Sequence, residues 1–323
     1  MKKLMAILLA ALMLFSLAAC GGEKATNGNT DEAVYNVGIC QYVQHEALDQ
    51  ATQGFKDALV KALGDKVKFD EQNASDDLTT CTTIINNFVS SKVDLIMANA
   101  TPALQTAASA TTEIPILGTS ITEYGVALEL TDFNGTVGGN ISGTSDLAPL
   151  DKQAQMVLDL VPDAKSVGIL YCSAEANSIY QVKVVKAYLE DKGITVTEYP
   201  FSDTNDIVSV ATAACEKSDA IYIPTDNKAA SSAETIDGVC RPAKVPVITG
   251  DTGTCGGCGI AVLAISYYNL GYKTGEMAVK VLTGEADISE MAIEYDTDVK
   301  PMYNAEICSE LGIKVPENYT ELG

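Results

Sequence analysis

Residues 166–178 read Ser166-Val-Gly-Ile-Leu-Tyr-Cys-Ser-Ala-Glu-Ala-Asn-Ser178. Val167 to Tyr171 is an apolar run of strand length, a small polar turn follows it, and a helical pattern begins near Ser178. A strand that feeds a helix through a polar turn is half of a βαβ unit. Asn177 or Ser178 suits the helix start, because a short side-chain oxygen can accept from the free amides of the first turn. Those amides, together with the helix dipole, favour a negative group. The turn therefore reads as one jaw of a ligand cleft.

Working outward, the upstream half lays out the same plan. Tyr35 to Cys40 is a strand that carries Val37-Gly-Ile39, the tripeptide that recurs at 167–169. His45 to Leu63 places Leu48, Ala51, Phe55, Ala58, Leu59 and Ala62 on a helical stripe. Strands at Val67–Phe69, Val93–Ala98 and Ile114–Leu117 then alternate with helices at Asp77–Ser91 and Pro102–Ala110. Downstream, helices at Tyr180–Lys192, Asn205–Lys217 and Asn227–Val239 alternate with strands at Ile194–Tyr199, Ala220–Ile223 and Val245–Ile248. Gly250 to Gly259 reads as a glycine-rich turn, followed by a strand at Ile260–Ile265, a helix at Ser266–Leu282 and a short helix within Met302–Gly312. Strands alternating with helices predict parallel sheets covered on both faces. Two similar α/β halves explain the repetition; the alternative is two ordinary α/β domains of coincidentally similar layout.

The N-terminus reads MKKLMAILLAALMLFSLAAC. Lys2 and Lys3, an apolar core and Leu17-Ala-Ala-Cys20 follow the order of a secretory signal. A cysteine after Leu-Ala-Ala resembles the bacterial lipobox, in which Cys20 would take the lipid and become the first mature residue. The plainer reading is a signal peptide with a chance cysteine. The run is short for a membrane span of ~20 residues. Lipid on Cys20 would hold the chain at the outer face of a bacterial membrane, extracytoplasmic and anchored. Residues 1–19 are thus expected to be signal, and 20–33, small and polar, a flexible tether.

Of 323 residues, about 290 remain, enough for two lobes with sizeable cores. Forty-three acids against 21 bases give −22, and −24 without Lys2 and Lys3. Such a body is a poor partner for nucleic acid or anionic membrane surfaces. The chain has nine cysteines, one histidine (His45) and one arginine (Arg241). The eight cysteines beyond Cys20 read first as small buried apolar residues, although export argues for oxidation.

Parallel open sheets bind ligands at the carboxyl ends of their strands. The turns there are Gln41–His45, 99–101 with Thr101, 118–120 with Thr119 and Ser120, 172–178 with Glu175, Asn177 and Ser178, 224–227 with Asp226 and Asn227, and 250–252 with Asp251. Hydroxyls and amides in these turns could hold a carboxylate, and Asp226, Asp251 or Glu175 an ammonium, so a small zwitterion fits. Exposed turns are also polar for no other reason than solvation. Cys255-Gly-Gly-Cys258 could be a redox pair or half a zinc site, but no second such pair accompanies it. Neither a phosphate loop nor a dinucleotide fingerprint is present, so no cofactor and no metal are expected. His45 with Asp49 has helical spacing and no nearby nucleophile.

Several stretches resemble the periplasmic-type substrate-binding proteins of ABC transporters, in the branch close to the TrpX- and TyrX-type lipoproteins. These are Gly38-Ile-Cys-Gln41 with His45-Glu-Ala-Leu-Asp49, Ala98-Asn-Ala-Thr-Pro102, Ser173 to Ser178, Pro224-Thr-Asp-Asn227 and Tyr267-Tyr-Asn-Leu-Gly271. The resemblance implies a type I periplasmic binding protein fold: two Rossmann-like lobes joined by a three-crossing hinge and closing on a ligand, an aromatic amino acid being favoured. Lobe 1 would comprise 34–145 and 266–290, lobe 2 146–265 and 291–323, with crossings near Gly143–Asp146, Ala264–Ser266 and Ala286–Glu294. The partners implied are ABC permease subunits, and a monomer is expected. With Arg241 placed away from the strand ends, the carboxylate should rest on Asn177, Ser178, Thr119, Ser120 and free amides. The ammonium should go to Asp226 first and Asp251 second, with Gln41, Tyr42 and Tyr267 flanking the ring. The rival readings are a secreted hydrolase or thiol-redox protein working through Cys255 and Cys258, and a ligand sensor for a signalling partner.

Overall fold

The computed structural model describes residues 34–296 and 298–322. The segments expected to be signal and tether, with Cys20, lie outside them.

Five strands of the first half form one sheet: β1 (Tyr35–Gln41), β2 (Val67–Asn73), β3 (Leu95–Asn99), β4 (Ile116–Ile121) and β5 (Ile141–Ser145). Their lateral order is β2-β1-β3-β4-β5, all parallel. The second half repeats the order with β6 (Ser166–Cys172), β7 (Thr195–Phe201), β8 (Ala220–Ile223), β9 (Val247–Thr249) and β10 (Ala261–Ala264), arranged β7-β6-β8-β9-β10. β11 (Glu294–Tyr295) extends the first sheet beside β5. β12 (Lys300–Tyr303) adds antiparallel to β10, and β13 (Thr320–Glu321) joins β12. The architecture is a two-lobed α/β fold with parallel sheets.

Helices cover both faces of each sheet. In the first lobe, Val37, Ile39, Leu95 and Met97 pack under Phe55 and Leu59 of α1 (Glu46–Leu63). The opposite residues, Cys40, Ile96 and Ala98, pack under α2 (Leu78–Ser91) and α3 (Thr101–Ala110), through Ile85, Phe88 and Leu104. A short α4 (Tyr124–Ala127) follows β4. In the second lobe, Val167, Ile169 and Tyr222 meet α5 (Leu150–Leu160) and α6 (Ala176–Asp191). Leu170, Ile221 and Ile223 meet α7 (Ile207–Cys215), α8 (Asn227–Ser231) and α9 (Ala233–Ala243). Each such buried aliphatic side chain contributes about 1.5–3 kcal/mol.

The repeated Val-Gly-Ile has a packing cause. A Cβ on Gly38 would lie 2.7 Å from the Phe88 ring, and one on Gly168 would meet Ser218 Oγ at 2.7 Å and the Tyr199 ring at 3.0 Å. In the first lobe the glycine makes room for a ring of the covering helix α2, in the second for the Tyr199 ring of the adjoining strand β7.

After β10 the chain returns to the first lobe as α11 (Tyr267–Leu282), which packs closely along α1. Glycines permit the approach. A Cβ on Gly271 would fall 1.9 Å from the Ala51 carbonyl oxygen, and one on Gly54 2.1 Å from that of Tyr268. Gly271→Ala must therefore push two backbones apart. It should destabilise the protein by about 1–3 kcal/mol or more, read as a lower urea midpoint; an unchanged midpoint would mean that the helices separate freely.

Four expectations differ from the structure. The Asn227–Val239 helix is two, α8 and α9, broken at Ser232. Gly250 to Gly259 is not an open turn: Thr252–Cys258 forms α10, capped by Asp251. Of its glycines, Gly257 serves packing, since a Cβ there would sit 2.5 Å from Ala233 Cβ. The helix after β6 starts earlier, with Glu175 at the N-cap position and Asn177 and Ser178 already inside its first turn. The third passage between sheets falls between Tyr295 and Lys300 rather than within 286–294, because Glu294 and Tyr295 still pair with Thr144 and Ser145 of β5. The elements β5, α5 and β12 were not anticipated. A final helix, α12 (Ala305–Leu311), lies within the stretch where a short helix was expected.

Candidate functional site

The carboxyl ends of both sheets face each other across a cleft. His45, at the start of α1, enters it from the first lobe with Ser120 and Thr122 from the end of β4. Asn177 of α6, Asp226 and Asn227 of α8, and Asp251 enter from the second lobe. Asp146, just after β5, and Tyr267, at the start of α11, lie where the chain passes between lobes. Leu48, Thr225 and Ala230 complete the lining. The enclosed free volume is only ≈ 10 Å³, about the room for one water. The lobes are shut on each other. Lys228 of the second lobe ion-pairs with Asp76 of the first at the rim, and His45 Nε2 lies 3.4 Å from Asn227 Oδ1.

Most polar groups here are already engaged. Asp226 Oδ2 accepts from Cys172 N at 2.6 Å and Ser178 Oγ at 2.7 Å, and its Oδ1 from Ala229 N at 2.9 Å. Glu175 accepts from Asn227 Nδ2 at 2.6 Å and from the amides of Asn227 and Lys228, both at 3.1 Å. Asp251 Oδ1 and Oδ2 accept from the amide and hydroxyl of Thr254. These three acids cap helices and brace turns, and each oxygen of Asp226 and Asp251 already accepts at least one internal hydrogen bond.

Four buried atoms in the lining have no hydrogen-bond partner among the described residues: His45 Nδ1, Ser120 Oγ, Asp146 Oδ1 and Asn177 Oδ1. Asp146 Oδ2 is held by the Tyr267 hydroxyl at 3.0 Å, which orients the carboxylate and leaves Oδ1 open. Asn177 spends its amide hydrogens on Thr225 O at 2.9 Å and on Glu175, so its oxygen faces the cleft. With Nε2–H donating to Asn227, His45 Nδ1 is an acceptor. Ser120 has φ 56°, a left-handed value at the register shift between Gly118 and Ile121. Strained backbone of this kind persists where the surroundings enforce it, and it clusters at binding sites.

The electrostatics are one-sided. Burial pushes the Asp146 carboxyl up to about 6, against the hydrogen bond from the Tyr267 hydroxyl, which favours its charge. Burial, then the Asp226 charge, pushes Glu175 up to about 8. Burial raises Asp226 and lowers His45, favouring neutral imidazole. No lysine or arginine is among the lining residues. Three acceptors and one hydroxyl thus surround a space rich in buried carboxylates and lacking a cation. An ammonium, with three hydrogens to donate, matches that set.

Of the residues singled out from sequence, Ser120, Asn177, Asp226, Asn227, Asp251 and Tyr267 meet at this cleft. Gln41 is turned into its own lobe, bonded to Val43 O, Asp49 and Thr52. Tyr42 is buried nearby with its hydroxyl 3.4 Å from Asp76 O. Thr119 bonds Thr144, Ser178 bonds Asp226, and Thr101 is buried in the first turn of α3; Thr119, Ser178, Glu175 and Thr101 brace rather than line the cleft. Arg241 is engaged far off, with Asp237, Glu306 and Glu310. Asp146 and His45 were not singled out as ligand residues; the post-strand rule pointed at Asp146 only through β5, a strand that went unread. Cys255 and Cys258 are buried in α10 with both thiols pushed up by burial, the opposite of an activated pair.

Residues 36–322 match the family described as ABC transporter substrate binding protein, and the chain belongs to that family. It is similar to a tyrosine-binding protein of Clostridioides difficile, 36% identical over 319 residues and covering 92% of this chain and 91% of that one. Among solved structures it is similar to a Streptococcus pneumonia ABC domain in complex with L-Trp, at TM-score 0.84 and 35% identity, covering 88% of this chain and 97% of that one. It is also similar to a ligand-free, open substrate binding protein with adhesive properties from Clostridium difficile, at TM-score 0.68 and 37% identity, covering 89% and 99%.

Proposed function

We propose that this protein is the extracytoplasmic, lipid-anchored receptor of an ABC importer and that it clasps an aromatic amino acid between its lobes without chemical turnover. The observation that carries the reading is the convergence of Asp146 Oδ1, Asn177 Oδ1, His45 Nδ1 and Ser120 Oγ, all buried and unpartnered, on one enclosed space. The ammonium rests on Asp146, with Asn177 and His45 as its neutral acceptors. The carboxylate takes the Ser120 hydroxyl and neighbouring backbone amides. Tyr267 offers a face to the ring, aromatic pairs adding about 0.5–1.5 kcal/mol beyond area burial.

The free volume of ≈ 10 Å³ means that the ligand enters an open form and that the closed form reshapes around it. The closer match to the L-Trp complex than to the open, ligand-free relative, at nearly equal identity, supports reading the described conformation as the closed one. A ligand favours closure only through contacts that exist in that state, and the closed form is the one presented to a permease as a monomer.

A thermal-shift screen of the proteinogenic amino acids, with mass spectrometry of the recovered ligand, tests the reading. Tyrosine, tryptophan or phenylalanine should raise Tm most and be recovered intact; a chemically altered product would point to an enzyme. For the anchor, Cys20→Ser should shed the protein into the medium or leave it unprocessed. A variant that stays cell-associated and is cleaved at the same bond would exclude the lipid.

A further inference from the structure

We propose that Cys215 and Cys240 are a disulfide-forming pair that staples α7 to α9 on the outer face of the second lobe. The observation is geometric. Cys215 ends α7 and Cys240 lies on α9, and their sulfurs are 3.5 Å apart. A disulfide needs ~2.05 Å, so about 1.5 Å of movement closes the bond. Cys215 is the last residue of its helix and the only half-buried cysteine among those described, so it has both the freedom to move and access to solvent. Cys240 is 1% exposed and waits beneath it. The other sulfur pair, Cys40 and Cys81 at 3.7 Å, joins a central strand to a helix with both thiols fully buried, so no reagent reaches it in the folded protein.

The chemistry follows the same asymmetry. The hydrogen bond between the two thiols lowers Cys215, while that bond and burial raise Cys240. Cys215 is therefore the attacking thiolate. With a small-molecule disulfide RSSR as oxidant, Cys215 Sγ bonds one sulfur and expels RS⁻, which takes a proton. Cys240 then gives up its proton, attacks Cys215 Sγ and expels the second RS⁻. Both cysteines lose two electrons and two protons in all, and RSSR leaves as two RSH. The bridge lies within one lobe, so it restricts the unfolded chain without locking the cleft. The proposal does not depend on the ligand or on where the protein resides.

Oxidised glutathione is the probe. Reduced, folded protein is incubated with it, quenched with iodoacetamide and peptide-mapped. The peptides of Cys215 and Cys240 should be joined, Cys40 and Cys81 should carry the alkyl label only after unfolding, and Tm should rise by roughly 5 °C, reversibly with dithiothreitol. Cys240→Ala should halt at a glutathione adduct on Cys215. In the wild type, an adduct on Cys215 that never resolves, an untouched Cys215, or a joined peptide with no gain in Tm would each overturn the staple.

Discussion

Asp146→Asn is expected to weaken amino acid binding by on the order of 2–5 kcal/mol, the usual loss when one partner of a buried charge pair is removed. That is roughly thirty- to several-thousand-fold in Kd. The substitution keeps shape and can still accept from the Tyr267 hydroxyl, which now lies 3.0 Å from Oδ2, so the fold should survive. The same change at Asp226 should read differently. Its Oδ2 already accepts from Cys172 N and Ser178 Oγ, and its Oδ1 from Ala229 N; Asp226→Asn keeps the cap but sets an NH2 against the buried Cys172 amide, so it should lower stability by about 1–3 kcal/mol, with a smaller effect on affinity. Arg241→Ala, which breaks only remote ion pairs, serves as the control and should bind normally. Calorimetric titration checks all three. Wild-type affinity in Asp146→Asn, with affinity lost in a well-folded Asp226→Asn, would move the ammonium to Asp226.

The second large effect is on pH. Asp146 and Glu175 both have folded-state values above the ordinary carboxyl range, about 6 and about 8, chiefly through burial. An acid whose pKa rises on folding holds its proton longer when folded. Its contribution is fully present below the unfolded value of ~4 and is lost as pH rises through the folded one. The unliganded protein should therefore lose stability between about pH 4 and 6 from Asp146 and up to about pH 8 from Glu175, by at most ~1.4 kcal/mol per pH unit for each group. An ammonium bound at ionised Asp146 offsets its share, so the ligand-induced rise in Tm should grow as pH passes about 6. Glu175→Gln should flatten the profile of the unliganded protein between pH 6 and 8. Calorimetry of wild type and Glu175→Gln from pH 5 to 8.5 decides it. Parallel profiles for the two, with a ligand shift that does not vary with pH, would mean that these carboxyls are not held neutral by burial.

How far the sequence reached depended on what kind of signal each element carries. β1 and β6 are runs of Val, Ile, Leu, Tyr and Cys, and hydrophobic period alone reveals them, as it reveals α1 and α11. β5 is Ile-Ser-Gly-Thr-Ser, buried throughout yet with one large apolar residue. Its polar atoms are satisfied only by tertiary partners: Ser142 by Met291 O, Thr144 by Thr274 and Ser145 by Thr122 O. No local pattern announces such a strand, and with it went Asp146. Gly257 of α10 looks like a turn residue in sequence because its role, close contact with Ala233 of α9, is not local either. At the cleft, an acid in a turn is visible in sequence, but whether its lone pairs are spent is not. Both oxygens of Asp226 and of Asp251 already accept internal hydrogen bonds; Oδ1 of Asp146 accepts none. His45 was weighed for catalysis and set aside for want of a nucleophile, while its position at the start of α1, facing Asn227, needed the second lobe to become visible.

If the closed cleft holds an ammonium beside an aromatic ring, removing the amine from the ligand should cost most of its affinity. The direct measurement is calorimetric titration of the purified protein with L-tyrosine and L-tryptophan, alongside 3-(4-hydroxyphenyl)propionate and 3-(indol-3-yl)propionate, which keep the ring and carboxylate but lack the amine. At least one of the amino acids should bind saturably, and its analogue at least ~30-fold more weakly, the lower end of the cost of an unmatched buried charge. Equal affinity for an amino acid and its deaminated analogue would contradict an ammonium site in the cleft.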